Sequence, residues 1–283
     1  MNRDTDEMTL VVGSTGKTGR RVMERLEARG VPVRAGSRSA DPPFDWDDEA
    51  TWEPALRCAA AAYVSFFPDL AVPGAREAIA AFSKLAVEGG TRRLVLLSGR
   101  GEEEAQRAEE VLQRSGAEWT VVRCSWLMQN FSESYFAEPV AAGELALPAG
   151  DVSEPFVDAD DIADVAVAAL TEGGHARQVY ELTGPRLLTF AEAVEEIARA
   201  TGRPVSYEPI PMEAFASALA EQDVPPEVVG LLRYLFTEVL DGRNARVADG
   251  VRRALGREPR DFRDYSRKAA ADGAWAASRV AGR

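Results

Sequence analysis

The sequence predicts an α/β fold built on a doubly wound parallel sheet, because short apolar runs alternate with longer amphipathic segments. An apolar run at residues 9–12 is followed at residues 17–29 by apolar side chains at helical spacing. Residues 94–97 are uniformly apolar, which is typical of a parallel strand that helices cover on both faces. Alternation of this kind indicates a parallel sheet between two layers of helices.

The alternation continues to about residue 124 and then loosens. Strands are predicted at residues 9–12, 31–35, 61–66, 94–97 and 119–122, and helices between them at residues 17–29, 49–60, 73–87 and 102–115. Later segments comprise short strands at 155–157 and 179–182, and helices at 158–170, 190–200, 212–220, 226–240 and 247–255. We expect a core at residues 1–124. A second part, residues 125–283, returns to this core at about 151–183 and otherwise forms a smaller, mainly helical C-terminal cap.

The composition excludes several classes of protein. The chain carries 33 basic and 46 acidic residues, a net charge of −13, so binding to a nucleic acid backbone is not expected. Cys58, Cys124 and His175 are too few for a four-ligand zinc site of cysteine and histidine. A Ser-His-Asp hydrolase would depend on His175, which the two preceding glycines place in a solvated loop.

The sequence also bears on location. No run reaches the ~18 uncharged apolar residues that a membrane helix needs. The acidic N-terminus lacks the basic and apolar segments of a secretory signal, and the two cysteines do not imply an oxidising compartment. We therefore expect a cytoplasmic protein without membrane association.

A glycine-rich turn joins the first predicted strand to the first predicted helix. Its residues are Gly13, Ser14, Thr15, Gly16, Lys17, Thr18 and Gly19. In a dinucleotide-binding turn, Gly13 allows the tight bend, Gly16 lets the backbone approach a pyrophosphate, and Gly19 lets the helix pack closely on the strand. A nucleotide-hydrolysing P-loop would need a glycine five residues before Gly16, where this chain has Val11. A turn without a ligand is the alternative interpretation.

The end of the second predicted strand indicates which dinucleotide binds. Proteins that bind NAD place an acidic residue there, whereas this chain has Ser37 and Arg38. A guanidinium with nearby hydroxyls suits the 2′-phosphate of NADP(H), and Lys17 adds a second charge. Asp45 and the backbone of Trp46 are candidate contacts of the adenine. The alternatives are a solvated arginine at position 38 and an acidic surface loop around Asp45.

Four stretches of the chain resemble the NmrA-like branch of the atypical short-chain dehydrogenase/reductases. They are residues 13–21, residues 94–99, residues 121–123 together with 129–131, and residues 156–163. The resemblance extends over nearly the whole chain. It implies a Rossmann domain, bound NADP(H) and a small C-terminal domain over the nicotinamide. The family includes quinone- and imine-reducing enzymes, and redox sensors that bind the cofactor and regulate partner proteins.

The chain departs from ordinary short-chain dehydrogenases in the residues that supply the proton. Those enzymes use Tyr-x-x-x-Lys, in which the lysine makes the tyrosine a better acid. Lys17, Lys84 and Lys268 are the lysines of this chain, and none stands four residues after a tyrosine. We predict Ser98 and Tyr135 as residues that contact the substrate.

Ligands of such sheets bind beyond the carboxyl ends of the strands. Further candidate cofactor contacts at these ends are Ser65, Phe66, Phe67, Ser98, Cys124 and Ser125. Candidate walls of an aromatic substrate pocket are Trp126, Phe131, Tyr135 and Phe136, with ordinary core packing as the alternative. Cys124 is better explained as a small buried thiol than as a nucleophile. Acids at positions 158, 160, 161 and 164 are better explained as helix caps than as metal ligands, so no metal is expected.

Two functional hypotheses follow from the sequence. The first is an NADPH-dependent reductase of a small electron-poor molecule, such as a quinone, an enone or an imine. The second is a cofactor-binding sensor that regulates a protein partner and turns nothing over. The missing tyrosine–lysine pair favours the sensor, whereas the aromatic segment at residues 126–136 favours an enclosed substrate site. A non-redox catalyst on the same fold is a third possibility.

Overall fold

A six-stranded parallel sheet is the centre of the fold, and its strands lie between residues 8 and 182. The computed structural model describes residues 8–276, so the acidic residues before position 8 lie outside it. The strands are β1 Met8–Val12, β2 Val33–Gly36, β3 Ala59–Val64, β4 Arg93–Gly99, β5 Glu118–Cys124, β6 Glu144–Leu147, β7 Ser153–Glu154, β8 Gln178–Leu182, β9 Leu188–Thr189 and β10 Ser206–Pro209. The sheet has the order β2-β1-β3-β4-β5-β8, and each neighbouring pair is parallel.

Helices connect these strands. They are α1 Lys17–Ala28, α2 Trp52–Leu56, α3 Ala75–Glu88, α4 Glu103–Gln113, α5 Ala137–Ala142, α6 Ala159–Thr171, α7 Phe190–Thr201, α8 Met212–Glu221, α9 Pro226–Tyr234, α10 Gly250–Leu255 and α11 Phe262–Ala271. Within the sheet unit α1 packs on α6, and α3 packs on α4, which provides two helical layers. The doubly wound parallel α/β fold is therefore confirmed.

The chain divides into two compact units. Among the described residues, the first comprises residues 8–124, 159–182 and 248–258, and the second comprises residues 125–158, 183–247 and 259–276. The core of the first unit is mainly aliphatic around the strands, with Leu10 and Leu94 fully buried. The core of the second unit is rich in aromatic side chains, of which Phe131 and Phe190 are fully buried.

Three local predictions are wrong. The helix expected at 247–255 as part of the cap is α10, which packs on β8 and α6 in the first unit. The strand expected at 155–157 is only an isolated bridge between Leu127 and Val157. The helix expected to reach residue 60 ends at Leu56, because Cys58 adopts a left-handed conformation (φ 64°) that turns the chain into β3.

His175 is also misassigned by the sequence, because it is buried rather than solvated. Its side chain is 8% exposed, and its Nδ1 lies 2.9 Å from the hydroxyl oxygen of Tyr180. Its carbonyl oxygen accepts a hydrogen bond from Oγ1 of Thr120 at 2.7 Å. Burial also lowers the pKa of His175. The contacts with Thr120 and Tyr180 give this residue a structural role beside β5 and β8.

Within residues 8–276, none of the helices combines the length and the apolar character that crossing a bilayer requires.

Helix α10 can approach β8 closely because its first residue, Gly250, has no side chain. A Cβ at this position would overlap the carbonyl oxygen of Glu181. We expect Gly250→Ala to lower the free energy of unfolding by about 1–3 kcal/mol, as overpacking does. Gly230 in α9 is the matched control, since a Cβ there meets nothing within 4 Å. Gly230→Ala should raise the stability by about 0.5–1 kcal/mol.

Denaturant unfolding of both variants measures these effects. Equal stabilities of Gly250→Ala and Gly230→Ala would contradict the packing argument.

Candidate dinucleotide site and its surroundings

The glycine turn lies at the carboxyl end of β1. The direction in which the sheet is extended reverses at this strand, because β2 lies on one side of it and β3 on the other. Gly13 has a φ of 74°, a left-handed conformation that favours glycine. The amides of Gly13 and Ser14 donate to the carbonyl oxygen of Gly36 at 2.9 and 3.3 Å. The amide of Gly16 donates to the carbonyl oxygen of Gly13 at 2.9 Å. Backbone hydrogen bonds thus hold the turn between β1 and β2.

Helix α1 sits directly on this turn. A Cβ on Gly19 would overlap the carbonyl oxygen of Gly13, so the close packing predicted for this glycine is present. The hydroxyl of Tyr63 in β3 donates to Oγ1 of Thr18 at 2.9 Å, and both side chains are buried. Burial raises the pKa of Tyr63, so the hydroxyl stays protonated. The beginning of α1 is therefore fixed against both β1 and β3.

The turn has the features of a phosphate-binding site. Oγ of Ser14 is buried and has no hydrogen-bond partner within residues 8–276. In the same described part of the chain no side chain caps α1, whose N-cap residue is the exposed Gly16. Unpaired amide groups at a helix N-terminus attract anions through hydrogen bonding and the helix dipole. These observations fit the pyrophosphate of a dinucleotide, which would be held by the Ser14 hydroxyl and the backbone at the start of α1.

Arg38 lies just beyond β2 and is exposed. It forms no ion pair with any residue that the structure describes. Ser37 and Ser39 flank Arg38 in the sequence, and their Oγ atoms lie 3.3 Å apart. Lys17, at the start of α1, is half-buried. The cation at position 38 is thus available to a ligand, as the NADP(H) hypothesis requires.

The loop that carries Asp45 and Trp46 is ordered by its own hydrogen bonds. The carbonyl oxygen of Asp45 accepts from Nε1 of Trp52 at 2.7 Å, and Oδ1 of Asp45 accepts from the amide of Asp47 at 3.2 Å. Nε1 of Trp46 donates to the carbonyl oxygen of Ser65 at 3.1 Å. The loop therefore reaches the end of β3, beside the glycine turn.

Ser65, Phe66 and Phe67 follow β3. Cβ of Ser65 lies 3.1 Å from the position that a Cβ on Gly13 would take, so Ser65 borders the turn. The ring of Phe66 packs on Trp46 with a centroid distance of 4.8 Å. Phe67 is 75% exposed. Phe67 therefore presents an unpacked aromatic face next to the candidate site, whereas Phe66 belongs to the aromatic cluster around Trp46.

Ser98 has a partner inside the first unit. It is 5% exposed, and its hydroxyl donates to Oε1 of Glu109 on α4 at 2.6 Å. Glu109 also accepts from Nε of Arg123 at 2.9 Å, and Arg123 in turn pairs with Glu181 at 3.1 Å. The structure thus gives Ser98 a place in a buried network beneath α4, and its contact with a substrate stays a prediction.

Cys124 and Ser125 follow the same pattern of internal partners. Cys124 is buried, and burial raises the pKa of its thiol, which agrees with an inert cysteine. In the second unit, Oγ of Ser125 donates to Oε2 of Glu154 at 2.7 Å. Neither side chain projects a free reactive group from the strand end.

The aromatic residues of the second unit differ in exposure. Phe131 is fully buried and packs on Phe136 with a centroid distance of 5.9 Å. Trp126 is half-buried against Phe190 and Phe236. Tyr135 is 53% exposed. Phe131 and Phe136 therefore serve the core of this unit, while Trp126 and Tyr135 keep surface that a substrate can contact.

The acids at the start of α6 pair with arginines. Nε of Arg25 lies 2.6 Å from Oδ1 of Asp164, and Nη2 of Arg25 lies 2.8 Å from Oδ1 of Asp160. Nη2 of Arg257 lies 2.7 Å from Oδ1 of the fully buried Asp161. No group of three potential metal ligands occurs among the described residues. These carboxylates bind α1, α6 and the segment after α10 together.

One pair of acids escaped the sequence analysis. Glu102 follows β4 in a run of three glutamates that reads as a solvated helix start, yet it is only 7% exposed. Burial, and the charge of Asp69 in the loop after β3, raise the pKa of Glu102. Only the tertiary structure brings these two residues together, because 33 positions separate them in the sequence.

The geometry of the turn generates a test of the dinucleotide site. We expect Gly13→Ala to weaken NADPH binding by roughly tenfold or more (~1.4 kcal/mol for each factor of ten), because the new Cβ would press on Ser65 and shift the turn. Gly30→Ala is the control, since Gly30 also has a left-handed φ of 72° but nothing lies within 4 Å of its Cβ position. Both variants should lose about 1–2 kcal/mol of stability from the left-handed conformation.

Fluorescence titration with NADPH, together with denaturant unfolding, separates the two effects. Unchanged affinity in Gly13→Ala would place the phosphate site elsewhere.

Comparison with known proteins identifies the family of the chain. The model of the NmrA-like family matches residues 104–265. The NAD(P)H azoreductase of Xenophilus azovorans is 31% identical over 283 residues, covering 93% of this chain and 98% of that protein. The (4-alkanoyl-5-oxo-2,5-dihydrofuran-3-yl)methyl phosphate reductase of Streptomyces griseus is 32% identical, covering 92% and 96%. The structure of Citrobacter triphenylmethane reductase complexed with NADP(H) superposes with a TM-score of 0.74 at 18% identity, covering 93% of this chain and 99% of that chain. The chain belongs to the NmrA-like family.

Proposed function

We propose that this protein is an NADPH-dependent reductase of a small electron-poor molecule, such as a quinone, an enone or an imine. The observation that carries the proposal is the glycine turn before α1, with the buried unpaired hydroxyl of Ser14, and the exposed cation of Arg38 after β2. Relatives named as an azoreductase and as a (4-alkanoyl-5-oxo-2,5-dihydrofuran-3-yl)methyl phosphate reductase support reduction as the reaction class.

Each part of the candidate site has a distinct role in this proposal. Gly13, Gly16 and Gly19 shape the turn, the backbone at the start of α1 binds the pyrophosphate, and Arg38 with Ser37 binds the 2′-phosphate. The bound cofactor supplies a hydride. The protein then has to orient the cofactor beside the substrate, and the class of substrate decides whether a proton donor is needed.

The substrate class follows from what the chain lacks. Without a Tyr-x-x-x-Lys pair, stabilising the alkoxide of a simple ketone is difficult. A quinone, an enone or a protonated imine accepts a hydride more readily, because its product anion is delocalised or its charge is neutralised. The free thiols of Cys58 and Cys124 support a reducing compartment, and we propose the cytoplasm.

Arg38 should set the preference between the two nicotinamide cofactors. A charge-assisted contact contributes about 1.5–3 kcal/mol, or roughly ten- to a hundredfold in affinity. We therefore expect NADPH to bind more tightly than NADH, and Arg38→Asp to abolish or reverse this preference. Arg76→Asp on α3 is the control, since Arg76 is also an exposed arginine and the net charge changes equally.

Titration of the unchanged protein and the two variants with both cofactors gives the six affinities that are needed. Equal affinities in the unchanged protein would overturn the assignment of Arg38. A parallel loss in Arg76→Asp would point to net charge instead.

Oxidation of NADPH tests the reaction itself. We expect turnover with quinones, enones or iminium ions and little with aliphatic ketones. Tyr135 is 53% exposed, so Tyr135→Phe should lower the rate by less than ~100-fold, the lower end of a general acid's contribution. A larger loss with unchanged NADPH binding would identify Tyr135 as the acid. Tight NADPH binding without turnover of any electron-poor substrate would instead favour a sensor that acts on a protein partner.

A further inference from the structure

Trp126 carries a hydrogen-bond donor that the described part of the chain does not use. Its ring is half-buried and packs on Phe190 and Phe236, with centroid distances of 5.7 and 5.1 Å. Its Nε1 donates to no residue between positions 8 and 276, and Nε1 is not itself buried. An indole N–H can only donate. This one therefore reaches the surface with its hydrogen bond unused.

The other tryptophans show how differently an indole can be placed in this protein. Nε1 of Trp46, Trp52 and Trp275 each donates to a backbone carbonyl oxygen, at 3.1, 2.7 and 2.7 Å. Trp119 is half-buried like Trp126, and its Nε1 also has no partner among the described residues. Trp119 and Trp126 thus form a pair with similar side-chain environments, and they differ in their position along the sheet.

The position of Trp126 brings its donor close to the strand ends where ligands bind. Strand β5 ends at Cys124, and Trp126 is the second residue after it, so their Cα atoms are at most ~7 Å apart. Ligands of doubly wound sheets bind beyond the carboxyl ends of the strands. Trp119 is the second residue of β5 and lies at its amino end. Of the two unpaired indoles, only that of Trp126 therefore stands at the ligand-binding end of β5.

The backbone around Trp126 is fixed by hydrogen bonds within the second unit. The carbonyl oxygen of Trp126 accepts from the amide of Val157 at 2.9 Å, and the amide of Met128 donates to the carbonyl oxygen of Val157 at 2.9 Å. Oγ of Ser125 donates to Oε2 of the fully buried Glu154 at 2.7 Å. A donor that is held in this way needs no reorganisation when charge develops beside it, which is the property of groups that stabilise an oxyanion.

We propose that the N–H of Trp126 donates to the substrate oxygen on which negative charge develops during the reduction. This inference rests on the proposed function. When a quinone or an enone accepts a hydride from NADPH, a C–H bond forms and an electron pair moves through the conjugated system to the carbonyl oxygen. Trp126 stabilises that oxygen without giving up its own proton, because its N–H acts only as a hydrogen-bond donor. The oxygen then takes a proton from water.

The donor also narrows the class of substrate. An iminium ion that accepts a hydride becomes a neutral amine, so no negative charge forms for Trp126 to stabilise. A quinone or an enone forms a delocalised oxyanion, which a single neutral donor can stabilise without a general acid. The inferred substrate is therefore a quinone or an enone rather than an imine.

Two changes at position 126 remove the donor. Trp126→Phe keeps an aromatic ring at this position. Incorporation of 3-benzothienylalanine at position 126 keeps both fused rings and places sulfur where the N–H was, so the packing survives even if phenylalanine is too small. Trp119→Phe is the matched control, since it removes a half-buried indole with an unpaired Nε1 from the other end of β5.

Turnover is measured with 1,4-naphthoquinone and with an N-methyl iminium ion at saturating NADPH. A hydrogen bond to a charged group contributes roughly ten- to a hundredfold. With the quinone, we expect kcat to fall roughly tenfold or more in both Trp126 variants, with KM changed by less than about threefold, because the contact strengthens only as the charge develops. We expect changes within about twofold for Trp119→Phe with either substrate, and for the Trp126 variants with the iminium ion.

Binding of a stable anion tests the donor without turnover. 4-Nitrophenolate carries a delocalised negative charge on a ring-bound oxygen, whereas 4-nitroanisole has the same ring without the charge. Equilibrium dialysis with NADP⁺ present measures the affinity for each. We expect the Trp126 variants to bind 4-nitrophenolate roughly tenfold more weakly than the unchanged protein and Trp119→Phe, and to bind 4-nitroanisole as the unchanged protein does.

The outcomes separate this inference from the proposed function. If the unchanged protein oxidises NADPH with no electron-poor substrate, the proposed function fails, and dialysis still reports on the donor. If the unchanged protein does not bind 4-nitrophenolate, or the Trp126 variants bind it as tightly as Trp119→Phe, the role of the donor is overturned. Equal losses of turnover with the quinone and the iminium ion would also overturn it, because the ring would then act only by packing.

Discussion

Close contact between α1 and the backbone of the glycine turn is the constraint on which the first unit depends. Because Gly19 has no side chain, the helix lies on the carbonyl oxygen of Gly13 and begins at once beyond β1. The first amides of α1 then stand where the strand order reverses, which is where doubly wound sheets bind ligands. The same contact fixes the position of α1 along β1. Arg25 on α1 therefore lies close enough to α6 to form ion pairs with Asp160 and Asp164.

These arginine–carboxylate contacts have a second consequence, because they join segments that are distant in sequence. Helix α6 returns to the first unit after the chain has passed through residues 125–158 of the second unit. Arg25 lies before residues 125–158 in the sequence. Arg257 lies after the second segment of the other unit, residues 183–247, and pairs with Asp161, which is fully buried. The network therefore specifies which helix face returns to the sheet.

The sequence predicts the elements better than it predicts the environment of single polar residues. Apolar runs and the glycine turn have clear signals, and the main strands and helices follow them. Strand β4 is buried on both faces, so its pattern does not show that Ser98 points towards α4 and Glu109. His175 is buried by partners on β5 and β8 that only the folded sheet brings near. Glu102 lies in an acidic run, and no local signal marks the one member that turns inward.

The charge state of Glu102 depends on a balance between opposing electrostatic effects. As the N-cap residue of α4, it lies at the positive end of a helix dipole, which stabilises an ionised carboxylate by about 0.3–1 kcal/mol. Burial opposes ionisation by several kcal/mol per charge when no cation is near. Asp69 and Glu109 add repulsion, because each is an acid facing the same group. The dipole effect is therefore smaller than the effect of burial. Burial and the neighbouring acids thus raise the pKa of Glu102, although this residue stands at the N-terminus of a helix, where the dipole acting alone would lower it.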